Sequence, residues 1–340
     1  MMTVLITGCN NHFQGIERCL HDNYEHEEIR TIGTDCNANH LLGTGCGETF
    51  VVPRSDDPDY IPEMLAICDE MNVDVILPFV TTELPIMAAN AHRFAEIGTA
   101  VSVSSPESLT VANNKIAMYE RFAQYMPFQR VIRGAGGVDE FAREIGYPGT
   151  RFCCKLPESC GGNGFSVVDE KLGRDIRLRN KCGVAGFVTL DMLKELADSY
   201  AGEIILSEYI AGHDYSVCTL SASGEVLHRC GFIGLEMDYG SVMLGEIQKN
   251  ATAYEIAETV CAELGIDGNA CFDFMLGKDG RVKLLEVNPR LSASLPFVAA
   301  AGLNLPYLRC KQLLGYDITG YDINVRYGLK MRKYYECEYV

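Results

Sequence analysis

The sequence predicts a multidomain fold of the α/β and α+β classes, with a doubly wound parallel α/β domain followed by a region that ends in an antiparallel sheet. Short apolar strands alternate with helical segments over the first hundred residues, and such alternation is typical of parallel strands joined by right-handed crossovers. The alternation ends near Ser105 and Pro106, where a long helical pattern begins. Two apolar strands joined by a Gly-Lys-Asp-Gly turn at 269–288 then predict an antiparallel pair.

The first domain is placed at 1–107. Its predicted elements are strands at 3–8, 29–35, 48–53, 73–79 and 99–104, and helices at 15–23, at 60–72 and before the last strand. The turn after the first strand contains Gly8 and Gly15 but no G-x-G-x-x-G motif. Asp35 ends the second strand, where a ribose-binding acid would lie, but the missing glycines argue against a dinucleotide site.

The second part, at 108–207, is predicted to mix helices and strands. The expected elements are a helix at 107–126 capped by Ser108 or Thr110, a helix near 138–146, strands at 151–156 and 166–168, and helix with polar connection at 169–203. The last stretch is basic, and a solvated helix face is favoured over contact with an anionic substrate. Its basic residues are Arg174, Arg177, Arg179 and Lys181.

The third part, at 208–340, is predicted to consist mainly of strands. The expected elements are strands at 204–210, 215–222, 225–234, 269–276 and 281–288, a loop at 235–249, and an amphipathic helix at 253–265 closed by Gly265. The tail at 326–340 is aromatic and charged, and we expect it to be a packing segment.

The hairpin at 272–290 carries the strongest chemical signal. Glu286 and Asn288 are two residues apart in one strand, so they project from the same face, and pairing across the turn can bring Asp273 to that face. A Glu and an Asn inside an apolar strand need polar partners. Two carboxylates and an amide oxygen suit Mg²⁺, and Arg290 could place a guanidinium beside a phosphoryl group.

Two further segments suit a nucleotide. The loop at 157–165 is rich in small residues whose backbone N–H groups can cradle phosphate, and Lys155 precedes it. It is not a Walker A motif, because GK[ST] is absent. The segment at 204–217 has Glu208 at a strand end and then Asp214, which suits main-chain contacts to adenine and a carboxylate contact to ribose, although an ordinary strand–turn–strand would look the same.

Composition excludes other classes of function. The formal net charge of −17 argues against nucleic acid and against an anionic membrane surface, and no apolar stretch reaches the length of a membrane span. The chain has 15 cysteines, mostly in apolar runs and without a C-x-x-C pair, and its first residues run into a strand rather than a signal peptide. We therefore expect reduced, buried thiols in a cytoplasmic protein.

The order of these motifs resembles the ATP-grasp superfamily, and within it single-unit proteins similar to the large subunit of carbamoyl phosphate synthetase. The resemblance covers essentially the whole chain. It implies a pre-ATP-grasp Rossmann-like domain, then a lid subdomain, then a C-terminal subdomain with an antiparallel sheet. The motifs that carry it are Lys115, Lys155 with the glycine loop, Glu208-Tyr-Ile with Asp214, and Asp273 with Glu286-Val-Asn288-Pro-Arg290.

The resemblance also implies a role for each motif residue. Lys115 and Lys155 would contact the phosphates of ATP, under a flap formed by Gly161, Gly162 and Gly164. The adenine would contact Glu208, Tyr209 and Ile210, and the ribose would contact Asp214. One or two Mg²⁺ or Mn²⁺ ions would be bound by Asp273, Glu286 and Asn288, and Arg290 would stabilise phosphate and acyl phosphate. Position 214 is Asp where the family usually has Glu, which is one methylene longer.

The implied reaction is ATP-dependent ligation of a carboxylate to an amine through an acyl phosphate, with an amino acid or small peptide as the default substrate. Arg229, Arg290 and Lys249 are candidates for a cation near the γ-phosphate, and Ser292 and Ser294 are candidates for lining the pocket. Catalytic roles are expected for Arg290, Lys155 and Arg229. The resemblance further implies homodimerisation through the N-terminal domain.

Other interpretations stay open at this point. An ATP-grasp enzyme could instead be a carboxylase or a kinase-like phosphoryl transferase. A non-catalytic nucleotide-binding protein would be expected to have lost at least one of the residues that handle phosphate and metal, yet all are present. An NAD oxidoreductase is disfavoured by its missing glycines.

Overall fold

The computed structural model describes residues 1–9, 12–157, 164–175, 186–238 and 241–334, without the side chains of 173–175. These residues form three sheets. The first sheet contains β1 (Met2–Thr7), β2 (Ile29–Asp35), β3 (Glu48–Val51), β4 (Val75–Leu77) and β5 (Ala100–Val101), which are flanked by α1 (Phe13–His21), α2 (Tyr60–Met71) and α3 (Leu84–Glu96).

This first sheet is parallel throughout, in the order β3-β2-β1-β4-β5. The predicted doubly wound parallel α/β domain is therefore confirmed. Alternate residues of β1 pack to opposite sides of the sheet: Val4 and Ile6 contact α1, whereas Leu5 packs with α2 and α3. A strand that is buried on both faces reads as a continuous apolar run, as this one does.

The predicted helix at 107–126 is two helices, α4 (Pro106–Ala112) and α5 (Lys115–Phe122). The predicted N-caps are wrong. Ser105 caps α4 by accepting from the Ser108 N–H, and Asn114 caps α5 by accepting from the N–H groups of the next turn. An Asn side chain competes with helical hydrogen bonds and favours a cap, so it ends one helix and begins another.

The second sheet contains β6 (Gln129–Ile132), β7 (Phe152–Lys155), β8 (Phe165–Val168), β9 (Gly186–Val188) and β10 (Ile204–Glu208), with α6 (Gly134–Ile145), α7 (Glu170–Asp175) and α8 (Leu190–Ser199). Its order is β6-β10-β7-β8-β9, and only β8 and β9 are parallel. β9 was not expected within 169–203. Of the basic residues predicted there, Arg177, Arg179 and Lys181 lie outside the described residues, and the Arg174 side chain is not described.

The third sheet is antiparallel, as predicted, in the order β15-β14-β11-β12-β13-β16. Its elements are β11 (Gly212–Ala222), β12 (Glu225–Asp238), β13 (Ser241–Ile247), α9 (Ala251–Leu264), β14 (Gly268–Gly277), β15 (Val282–Asn288), α10 (Leu295–Ala300), α11 (Leu305–Leu313) and β16 (Lys330–Arg332). Gly265 closes α9 in a left-handed conformation, as expected. The predicted loop at 235–249 is wrong, because β12 extends into it and β13 lies within it.

Each face of the third sheet packs against a different partner. Tyr215, Val217 and Phe272 pack on α9. Cys218 and Phe232 project from the other face and pack on α1, α10 and α11, so the core of this face is continuous with that of the first sheet. The polar residues of the candidate site lie at one end of this second face.

The cysteines that the structure describes are all unpaired and mostly buried, as the apolar runs indicated. None of the helices in the described ranges has the length and apolar character that crossing a bilayer requires.

Candidate active site

The structure brings together the predicted metal ligands. Asp273 on β14 and Glu286 on β15 are direct cross-strand neighbours. The Asn288 side chain bridges them, because its Nδ2 donates to Asp273 Oδ2 and to Glu286 Oε1 at 3.1 Å each. Ser216 on β11 donates from Oγ to Asp273 Oδ1 at 2.7 Å. Sequence reasoning missed Ser216, which cross-strand register alone places beside Asp273.

The electrostatics of this group favour a cation. Burial raises the pKa of Asp273, and the nearby charge of Glu286 raises it further. The Asn288 amide presents the positive end of its dipole to both carboxylates, and a half-turn of the amide would present its oxygen instead. Two carboxylates and one amide oxygen suit a hard divalent ion that takes its other ligands from phosphate and water.

No cluster of three or more His, Cys, Asp or Glu side chains suited to a metal occurs among the described residues. The candidate site is therefore the incomplete, oxygen-only kind. Such a site binds Mg²⁺ well when phosphate oxygens complete the coordination, rather than holding the ion as a closed structural centre.

Two lysines from the second part of the chain approach the same group. Burial lowers the pKa of Lys155, which lies at the end of β7, and the nearby charge of Lys115 lowers it further. The nearby charge of Glu286 opposes this decrease. These three side chains are thus close enough to interact electrostatically. Lys115 is the first residue of α5, and its Nζ donates to the carbonyl oxygen of Pro157 at 3.5 Å.

The glycine loop is described only at its ends. The Leu156 N–H donates to the carbonyl oxygen of Gly164 at 3.2 Å, which draws the two ends together. Gly164 has φ of +68°, a conformation that glycine adopts readily. Gly161 and Gly162, predicted to form the flap, lie outside the described residues.

The predicted adenine segment connects β10 to β11. Glu208 accepts from the Phe128 N–H at 3.0 Å, and Arg281 Nη1 donates to both of its carboxylate oxygens at 3.0 and 2.8 Å. Arg281 was not anticipated, although it directly follows the hairpin turn. Ile210 is buried, and the Tyr209 ring lies 6.0 Å from the Arg151 guanidinium.

Asp214 lies on the face that carries the metal-binding candidates. It pairs with Met275, two residues along β11 from Ser216, which pairs with Asp273. Burial raises the pKa of Asp214, and its charge contributes to the raised pKa of Asp273. Asp214 therefore lies between the adenine segment and the metal-binding candidates.

Arg290 connects the hairpin to the first domain. Its Nε donates to Thr81 Oγ1 at 3.0 Å, and its Nη2 lies 3.5 Å from Asn288 Oδ1. Its Nη1 donates to the Leu291 carbonyl at 2.7 Å. The guanidinium is thereby fixed between the metal-binding candidates and the loop after β4. Contact with Cys218 and burial raise the pKa of the Cys271 thiol, and the Ser292 hydroxyl opposes this change, so Ser292 also lies nearby.

The structure does not bring Arg229 or Lys249 to this group. Arg229 pairs with Thr219 in the sheet and projects from the α9 face, opposite to Asp273, where it forms an ion pair with Glu258. Side chains alternate between the two faces of a sheet along each strand, so the position of Arg229 in β12 did not determine whether it projects from the face that carries Asp273. Lys249 lies 4.4 Å from the Tyr327 ring centroid, and it lines a cavity of about 480 Å³ with Arg229.

Two family models match the chain. Residues 201–337 match the model for ATP-grasp in the biosynthetic pathway with Ter operon, and residues 4–102 match the PylC-like N-terminal domain. These ranges cover the third and the first sheet, respectively.

Two curated proteins are related to this chain in sequence, each at less than 30% identity. The carbamoyl phosphate synthase large chain of Methanothrix thermoacetophila is 22% identical in an alignment over 246 residues that covers 67% of this chain and 21% of that protein. The D-alanine–D-alanine ligase of Anaeromyxobacter dehalogenans is 28% identical in an alignment over 209 residues that covers 56% of this chain and 60% of that protein. The chain thus spans only part of the length of either relative.

Solved structures share the fold over nearly the whole chain. An ADP complex of purK, N5-carboxyaminoimidazole ribonucleotide synthetase, has a TM-score of 0.67 at 13% identity, covering 97% of this chain and 80% of that one. The L-amino acid ligase of Bacillus licheniformis has a TM-score of 0.66 at 15% identity, covering 97% and 78%. Residues 201–337 thus match an ATP-grasp family and residues 4–102 match a PylC-like N-terminal domain, and nearly the whole chain shares its fold with these solved structures.

Proposed function

We propose that this protein is an ATP-dependent carboxylate–amine ligase that forms a C–N bond on amino-acid or small-peptide-like substrates and releases ADP and phosphate. The observation that carries the proposal is the convergence of Asp273, Glu286 and Asn288 with Lys155 and Arg290. This arrangement offers hard oxygens for a metal and cations for phosphate in one place. Ligases among the similar proteins support the same class of reaction.

The residues divide the work of binding ATP. Lys115 and Lys155 neutralise phosphate charge from the side of the second sheet, and the glycine loop with Gly161, Gly162 and Gly164 covers the phosphates. Glu208, Tyr209 and Ile210 contact adenine, and Asp214 contacts ribose. For Glu208 to accept from the adenine amino group, Arg281 must leave it a free lone pair, and a carboxylate with about four acceptor sites has the capacity.

Asp273, Glu286 and Asn288 would hold one or two Mg²⁺ ions, which would supply Lewis acidity to the phosphate groups when bound. A carboxylate oxygen of the acid attacks the γ-phosphorus, the bond to ADP breaks, and Arg290 balances the charge of the transferring group. The amine then attacks the acyl carbon, phosphate leaves, and the nitrogen loses a proton. No protein nucleophile takes part in these steps.

We further propose three units, at 1–107, 108–207 and 208–340. Each contains one of the three sheets, except that Glu208 at the end of β10 falls just beyond the second boundary. Glu208 would then stand at the hinge between the unit that carries Lys155 and the unit that carries Asp273.

The decisive test measures ADP release with amino acids offered as acid and amine, with the product detected by mass spectrometry. Glu286→Gln and Asn288→Ala should lower turnover by at least about a hundredfold, because each removes a metal ligand or its partner. Glu225→Gln, an exposed change at the start of β12, is the matched control. Thermal unfolding should show that all three variants fold.

Two outcomes would reject the proposal. One is full turnover in both Glu286→Gln and Asn288→Ala. The other is ADP release that depends on bicarbonate and yields no amide, which would indicate the carboxylase alternative.

A further inference from the structure

Three basic side chains from distant parts of the chain meet beside the candidate active site. His12 is the N-cap of α1 in the first domain, and its side chain makes no capping hydrogen bond. One turn further, a Cβ on Gly15 would lie 2.7 Å from Pro296 Cγ, so the first turn of α1 packs closely on the start of α10. This contact places His12 next to the segment that leads from Arg290 into α10.

Two cationic side chains, Lys333 and Arg290, lie within electrostatic range of His12. Burial lowers the pKa of His12, and the charges of Lys333 and Arg290 lower it further. Lys333 follows β16, and its backbone N–H donates to the Met243 carbonyl at 2.7 Å, which continues the pairing of β16 with β13. Its side chain is partly buried, and burial lowers its pKa.

Among the described residues, these two cations lack a balancing carboxylate. Lys330 and Arg332, the neighbours of Lys333, lie 3.6 and 3.5 Å from Glu246 and Glu236. Within the described ranges, neither Lys333 nor Arg290 has a carboxylate within 4.0 Å. In a chain with a net charge of −17, partly buried cations without an acidic partner are suited to an anion supplied from outside.

We propose that His12 and Lys333 bind a second anionic group of the acid substrate, while Arg290 faces the carboxylate that is phosphorylated. This inference rests on the proposed ligase function. Arg290 is the member next to Asn288, so the reacting carboxylate lies at Arg290, and the remainder of the acid extends toward α1 and β16. The acid substrate therefore belongs to the class of dianionic acids, such as dicarboxylates, rather than neutral amino acids.

The test compares matched acids. ADP release is measured with L-glutamate against L-glutamine and with L-aspartate against L-asparagine, each with a panel of amino acids as amine. The wild-type protein should prefer the dianionic member of at least one pair by about tenfold or more in kcat/KM, the size expected from one charge-assisted contact.

Variants separate binding by the basic cluster from general damage. Lys333→Met and His12→Asn should each raise the KM of the preferred dianionic acid about tenfold while leaving the KM of ATP unchanged. Lys333→Arg should restore most of the affinity. Arg332→Met removes the same charge one residue away, where the side chain is exposed and near Glu236, and should change nothing.

Calorimetric titration of L-glutamate and L-aspartate into the protein with MgADP gives a readout that does not need turnover. Binding that is lost in Lys333→Met and kept in Arg332→Met supports the proposal even if no amine is accepted. Unchanged affinity in Lys333→Met and His12→Asn overturns it, as does equal use of the acids in both pairs or no binding of either dianionic acid. ADP release that is absent with every acid and amine, with dicarboxylate binding intact, rejects the ligase function instead.

Discussion

At the scale of single residues, the candidate site is a balance of buried charges. Asp214 and Asp273 both have raised pKa values, mainly because burial penalises their ionised forms. Lys155 has a lowered pKa for the same reason, and Glu286 opposes that change. Opposite charges from two sheets therefore lie near each other, and the charge of Glu286 favours the ionised form of Lys155. A bound metal ion would neutralise the carboxylates, and a bound phosphate would neutralise Lys155.

The first domain contains a buried acid whose ionisation should affect stability. Thr7 Oγ1 donates to Glu83, and burial raises the pKa of Glu83 from 4.5 to about 7. Between these values the folded protein holds a proton that the unfolded chain has lost. The free energy of unfolding should thus fall as pH rises through this window, by at most about 1.4 kcal/mol per pH unit. Below about 4.5 and above about 7, this contribution should be constant.

Urea unfolding at pH values from 5 to 8 measures this effect. Glu83→Gln keeps an acceptor for Thr7 but cannot ionise, so the difference in unfolding free energy between wild type and variant should change steadily with pH. Glu63→Gln, an exposed change on α2, should show no such trend. An identical pH dependence in wild type and Glu83→Gln would show that Glu83 ionises normally.

At the scale of elements, the local sequence pattern predicted the helices and strands whose formation does not depend on tertiary contacts. β2 was predicted at its observed bounds, and α9 with its Gly265 cap was predicted to within two residues of its start. β9 and β16 have three residues each, and their pairing with β8 and β13 depends on contacts that no local pattern encodes. Asn114, the N-cap of α5, encodes the split between α4 and α5, although the helical pattern of the sequence continues through it.

A close approach between strands and a helix makes one glycine sensitive. A Cβ on Gly231 in β12 would lie 1.9 Å from Tyr215 Oη and 3.0 Å from a ring carbon of Tyr254. Tyr215 cannot easily move, because its hydroxyl donates to the Gln248 carbonyl at 2.8 Å. Gly231→Ala should therefore lower the free energy of unfolding by about 2 kcal/mol, as overpacking of a core does.

Chemical denaturation of purified variants checks this prediction, with Gly136→Ala in α6 as the control. A Cβ at Gly136 meets open space, so this variant should gain roughly 0.5–1 kcal/mol from improved helix propensity. Gly231 lies on the α9 face, away from Asp273, so the folded variant should keep its KM for ATP. Equal stability of Gly231→Ala and wild type would mean that the tyrosines rearrange without loss.

At the scale of the whole molecule, the candidate site is assembled from all three sheets. The hairpin supplies the metal-binding candidates, the second sheet supplies Lys155, and the first domain holds Arg290 through Thr81. Motif order in the sequence predicted the first two contributions. It could not predict the contact of Thr81 with Arg290, because Thr81 belongs to no motif and reaches Arg290 only through packing between the first and third sheets. The sequence analysis placed Arg229 near the γ-phosphate, which is wrong, because its position along the strand did not tell which face of the sheet it projects from.

A ligand that bridges two sheets should stabilise the whole fold. At a hundred times its Kd, MgADP should add about 2.7 kcal/mol to the free energy of unfolding, and in a chain of 340 residues this corresponds to a rise in Tm of roughly 4 °C. Excess EDTA should remove most of this rise, because the carboxylates of Asp273 and Glu286 would then repel the phosphates. The measurement is a thermal melt with and without nucleotide and metal.

Two substitutions on opposite sides of the site distinguish bridging from loose surface binding. Lys155→Ala on the second sheet and Glu286→Gln on the third should each abolish most of the stabilisation by MgADP, because a bridging ligand needs both sides at once. Lys278→Ala, an exposed change in the hairpin turn, should keep it. If MgADP still raises the Tm of both Lys155→Ala and Glu286→Gln by the wild-type amount, the nucleotide binds elsewhere, and the site described between the two sheets is not where ATP acts.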